Sequence, residues 1–99
     1  MGLFGSKKHL PAITDVFSAD AIKKILDVAG PKLTCNSYGK YTDYAEILLS
    51  ALANPAQEQD KRGWDRIMFS AGVMTKVEPE LTAVLTDAIA KYKALKKNG

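Results

Sequence analysis

The chain has 99 residues, of which 46% are hydrophobic and 25% charged, enough for one domain with a modest core and too apolar for disorder throughout. A single cysteine, Cys35, rules out an internal disulfide, and no run approaches the roughly 18 apolar residues that suggest a membrane span. Net charge is +3 but unevenly placed: residues 1–40 and 91–99 are basic, and residues 41–90 are acidic.

Residues 1–9 hold two glycines, a serine, two lysines and His9. They are expected to form a flexible N-terminal tail with no secretory signal, ahead of a helical domain over residues 10–99. After Pro11, the spacing of Leu10, Ile13 and Phe17 predicts one short helical turn. Ser18 can accept from the free N–H groups of a following helix, and Phe17 and Ile22 have hydrophobic-staple spacing. Ile22, Ile25, Leu26 and Ala29 line one face of that helix, and Gly30-Pro31 is expected to end it.

Residues 31–41 read as a loop, with Asn36, Ser37 and Gly39 as turn formers. A second helix is expected from about Thr42, its cap, with Tyr44, Ile47, Leu48, Ala51 and Leu52 as an amphipathic stripe. Asn54-Pro55 should stop it and start a third helix, with Asn54 as cap and Gln57 completing a capping box. That third helix is expected from about Pro55 to Val73, with a kink at Gly63. The last helix begins at Pro79, with Glu78 and Glu80 beside the positive end of its dipole. Its stripe is Leu81, Val84, Leu85, Ala88, Ile89, Tyr92 and Leu95. No segment alternates as a strand would, so the fold class is all-α: a small four- to five-helix bundle in a single domain.

Chemistry-bearing residues are few. Cys35 has no base in evident reach, since His9 is the sole histidine, and one Cys with one His cannot make a zinc site. Glu58, Asp60 and Asp65 interleave with Lys61, Arg62 and Arg66, the pattern of a solvated helix face with ion pairs. No phosphate-binding or dinucleotide glycine motif is present, so no catalytic residue, metal or cofactor is assigned. Trp64 shares a face with Ile67 and Met68 and reads as core; if exposed between Arg62 and Arg66 it would be an anchor.

Two segments suggest partners. Between Lys32 and Tyr44, Tyr38 and Tyr41 interleave with Lys40, a mix suited to a protein contact; Asp43 and Glu46 follow and disfavour a phosphate chain. Tyr38 and Tyr41 bracing a loop, with Tyr44 in the core, is the plainer alternative. With Arg62 and Arg66, Tyr38, Lys40 and Tyr41 form the expected partner-binding set. The first eight residues, Met1-Gly2-Leu3-Phe4-Gly5-Ser6-Lys7-Lys8, fit an N-myristoylation pattern at Gly2, with Lys7 and Lys8 as membrane or anion contacts. With Gly2 acylated the chain resembles the matrix domains of retroviruses, over architecture and those eight residues only. That resemblance implies a peripheral membrane protein.

The function expected by elimination is a cytoplasmic, non-enzymatic interaction protein: an adaptor, inhibitor, immunity or assembly factor of phage or bacterial type that binds a larger protein. The alternatives are the acylated membrane protein and, behind it, a weak nucleic-acid binder, for which two arginines are few. A monomer fits one apolar stripe per helix, but the third helix could also pair with a second copy.

Overall fold

The computed structural model describes residues 10–98. They form five helices: α1 (Ile13–Val16), α2 (Ala19–Thr34), α3 (Thr42–Ala53), α4 (Lys61–Val77) and α5 (Thr82–Asn98). Single 3-10 turns at Gly39–Tyr41 and Pro79–Leu81 lead into α3 and α5. No strand occurs among the described residues. The bundle is the all-α class that the sequence periodicity implies. The tail expected over residues 1–9 lies outside the described residues.

The short α1 is closed by Asp15, whose carboxylate accepts from the Ala12 N–H at 2.9 Å. It buries Ile13 and Val16. Ser18 caps α2 as its position suggests, accepting from the Ala21 N–H at 3.1 Å.

Contrary to the expected stop, α2 runs through Pro31 to Thr34. A residue before proline usually avoids helical geometry because its Cβ crowds the proline ring, and Gly30 has no Cβ. The real stop is Asn36, in the left-handed region at φ 59°. The Ser37 N–H returns to the Lys32 carbonyl at 2.8 Å and the Asn36 N–H to the Leu33 carbonyl at 3.1 Å. That pair of bonds is a Schellman closure, with asparagine in the place glycine usually takes.

The stretch before α3 also departs from expectation. Thr42 does not cap by accepting; its hydroxyl donates to the Gly39 carbonyl at 2.6 Å. Packed against α2 on one side and α4 on the other, α3 buries Ala45 and Leu49 as well as Leu48, Ala51 and Leu52. The rotation of its buried face toward α2 leaves Tyr44 and Ile47 half-buried at the edge.

Asn54 ends α3, but no helix begins there. Asn54 Nδ2 donates to Gln57 Oε1 at 3.0 Å, and the Gln57 N–H donates to the Asn54 carbonyl at 3.1 Å, within a turn. The same short-range bonds that cap a helix can close a turn, and Ala56 to Asp60 offers little apolar surface for a helix to bury. Instead α4 starts at Lys61, where Asp60 Oδ1 accepts from the Gly63 N–H at 2.8 Å. Gly63 therefore sits in the first turn, and α4 continues without interruption to Val77.

A single core joins the five helices. Trp64 lies at its centre, fully buried, with its indole N–H donating to the Pro11 carbonyl at 3.0 Å. Its ring stacks on Tyr92 of α5 at 4.7 Å. That hydrogen bond fastens the chain entering α1 over the contact of α4 with α5.

Candidate functional site

The residues suspected from the loop before α3 do not share one surface. Tyr38 is only 6% exposed and belongs to the core. Its hydroxyl donates to Glu78 Oε1 at 2.9 Å. Tyr41 is half-buried, packed against the core from outside. Lys40 is exposed, and its ammonium lies 5.4 Å from the centre of the Tyr41 ring. Tyr38 thus leaves the expected partner-binding set because its ring and its hydroxyl are both already engaged, whereas Lys40 and Tyr41 reach the surface.

Glu78, read as a residue beside the helix dipole, is the most buried charge among the described residues, at 2% exposed. Lys32 Nζ meets the same Oε1 at 2.6 Å, and the Glu80 N–H donates to Oε2 at 3.2 Å. Burial pushes this carboxyl up, but the hydrogen bonds from Lys32, Tyr38 and the Glu80 N–H outweigh it and hold Glu78 below the ordinary carboxylate value. The bond to Glu78 raises Lys32, and burial followed by its own bond to Glu78 raises Tyr38 strongly. The Glu78 carboxylate and the Tyr38 hydroxyl are both engaged within the chain. The cluster ties the end of α2 and the following loop to the start of α5.

The open surface lies on α3 and α4. Phe69, which the sequence reading passed over, is 63% exposed on α4. Its ring leans on Tyr44 of α3 at 5.6 Å and 58°. Tyr44, Ile47, Arg62, Asp65, Arg66, Phe69 and Ser70 line a shallow cleft of about 330 Å³. Arg62 and Arg66, both expected from the sequence to bind a partner, form its basic wall. Asp65 is held by Lys61 at 3.0 Å, as helical ion pairing predicts. Among the described residues neither arginine has a carboxylate within salt-bridge distance.

A wider cleft of about 580 Å³ adjoins this one, sharing Ile47 and Arg66 as its wall. Asp43, Glu46 and Ser50 line its α3 side, and Gln57, Gln59 and Gly63 close its end. The combined face has an apolar strip of Tyr44, Ile47 and Phe69, an acidic α3 edge and a basic α4 edge. Phe69 escaped the sequence reading because it is a lone aromatic on the polar side of an otherwise regular stripe. A signal was present in its spacing from Arg62 and Arg66, seven and three residues back on the same helix.

Other candidate chemistry is sparse. Cys35 is exposed, with its Sγ 3.0 Å from Ser37 Oγ. Among the described residues no three His, Cys, Asp or Glu side chains converge as metal ligands. No described helix is long and apolar enough to cross a membrane. Gly2, Lys7 and Lys8, singled out for acylation and membrane contact, lie outside the described residues, as does His9. No family model, no curated protein and no solved structure matches the chain.

Proposed function

We propose that the chain is a non-enzymatic interaction protein of the cytoplasm that acts by binding a larger protein partner through the outer face of α3 and α4. One observation carries this reading: the exposed Phe69 ring, braced by Tyr44 in an apolar cleft with Arg62 and Arg66 beside it. Large aromatics and arginines are the residues that dominate protein interfaces, and a ring already held by a neighbour loses little freedom on binding. Lys40 and Tyr41 lie in the 3-10 turn just before α3, within one helical turn of Tyr44 in sequence, and are proposed as an extension of this surface.

The test is affinity capture with a C-terminal tag from the cells that express the protein, divided into soluble, membrane and nuclease-treated fractions. Wild type is expected to retain a stoichiometric soluble protein. Phe69→Ala should weaken that complex by about 30-fold or more, the cost of truncating an interface anchor. Lys23→Glu, on the far α2 surface, should leave it unchanged. Equal capture by wild type and Phe69→Ala would overturn the assignment of the face. Recovery only with membranes, or loss of all partners on nuclease treatment, would overturn the protein-partner reading itself.

A further inference from the structure

We infer that the outer face of α3 and α4 seats a second copy of this chain, so that the free protein is a two-fold dimer from which a larger partner displaces one subunit. The inference rests on reading that face as a docking surface and names what covers it in the absence of another protein.

The charge layout carries the argument. Asp43 and Glu46 stand exposed on the α3 edge, and Arg62 and Arg66 on the α4 edge. Among the described residues none of the four is in an ion pair; the pairs present are Lys23–Asp27, Lys32–Glu78 and Lys61–Asp65. Between the two edges runs the strip of Tyr44, Ile47 and Phe69. The two helices are antiparallel, because Tyr44 meets Phe69 at one end while Ser50 and Gly63 share a cleft nearer the other. Arg66 therefore stands at the level of Asp43, Glu46 and Ile47.

A two-fold axis parallel to these helices lays α4 of each copy on α3 of the other and preserves the level of every residue along the axis. Arg66 then faces Asp43 and Glu46 of the second copy, and Phe69 faces its Tyr44 and Ile47. An axis across the helices would set α3 on α3, carboxylates against carboxylates. A uniformly acidic or uniformly basic partner would meet like charge along one edge. The face is complementary to itself in one orientation, and that complementarity selects a second copy as its occupant.

Sedimentation equilibrium of the full chain over a concentration series up to about 1 mM tests this. Wild type is expected to show a monomer–dimer equilibrium that weakens as salt rises, since the edge pairs are screened. Phe69→Glu should raise the dissociation constant by about 30-fold or more. Arg62→Glu/Arg66→Glu makes the whole face acidic, and Asp43→Lys/Glu46→Lys makes it basic. Each of these variants alone should be monomeric, and their equimolar mixture should form a one-to-one heterodimer. Circular dichroism of each variant establishes that it is folded before the comparison is made. A wild type that stays monomeric across the series, a dimer indifferent to Phe69→Glu, or folded swap variants that fail to pair would overturn the inference. If the wild type is monomeric while Phe69→Ala still loses the captured partner, self-association fails and the docking face stands.

Discussion

Tyr38 and Tyr92 each carry a hydroxyl into the core, and they meet different surroundings there. The Tyr38 hydroxyl reaches Glu78, so its burial is compensated. Tyr92 is 4% exposed, and among the described residues its hydroxyl has no hydrogen-bond partner. What holds Tyr92 is its ring, which stacks on Trp64 and has the Lys96 ammonium 5.9 Å from its centre. A buried hydroxyl without a partner costs free energy, whereas the ring contributes the stacking whether or not oxygen is attached. Tyr92→Phe is therefore expected to raise stability by about 1 kcal/mol, and Tyr38→Phe to lower it by about 1–2 kcal/mol. Urea denaturation of the two variants checks the opposite signs; a loss of stability in both would show that the Tyr92 hydroxyl is engaged. Spacing alone placed Trp64 and Tyr92 in the core, because both fall on unbroken apolar stripes. It could not separate the two tyrosines, since what distinguishes them is a carboxylate forty residues from Tyr38 in the chain.

At the scale of the helices, starts followed local chemistry only where one cap candidate stood alone. Ser18 had no rival within its turn, and it caps α2. Between α3 and α4 both Asn54 and Asp60 are competent caps, and a choice between them depends on which following turn buries apolar surface. From Asp60 onward Trp64 and Ile67 fall inside the core within two turns; from Asn54 onward nothing does before Trp64. Asp60→Ala should accordingly cost about 0.5–2 kcal/mol, and Asn54→Ala no more than about 0.5 kcal/mol. Thermal melts of the two variants decide it, and the reverse order would move the start of α4 back toward Pro55. The same competition hid the outer face of α3 and α4 proposed for docking. That face exists because α3 turns its buried side toward α2 and leaves Tyr44 and Ile47 at the edge, an orientation fixed by packing between two helices rather than by the stripe itself. Arg62 and Arg66 were legible as an exposed basic pair, but the aromatic ring beside them that leans on Tyr44 of α3 was not.

At the scale of the molecule, the all-α bundle was legible from apolar spacing alone, while the one long-range charged tie among the described residues was not. Lys32, Tyr38 and Glu78 lie on three different segments, and only the continuation of α2 past Pro31 brings Lys32 to the start of α5. The cluster makes stability depend on pH at both extremes, and the signs follow from the direction of each shift. Glu78 is lowered from 4.5, so its contribution is complete above that value and is lost as pH falls through its lower folded value. Tyr38 and Lys32 are raised from 10.0 and 10.5, so their contributions are complete below those values and are lost as pH rises through the folded ones. The Tyr38 limb has its causes in burial of the phenol, in the hydrogen bond to Glu78 that deprotonation would break, and in the repulsion between a phenolate and the Glu78 carboxylate. Glu78→Gln keeps the shape and removes the charge. It should cost about 1–3 kcal/mol at neutral pH, because buried donors lose a charged acceptor. The difference from wild type should shrink as pH falls below 4.5 and vanish below the lowered folded value, where the wild-type carboxyl is neutral as well. Melting temperatures measured for both proteins from acid to alkaline pH read this directly. Converging acid limbs locate the acid sensitivity at Glu78; parallel limbs would place it in the exposed carboxylates, and the cluster would then be a packing contact whose charge contributes little.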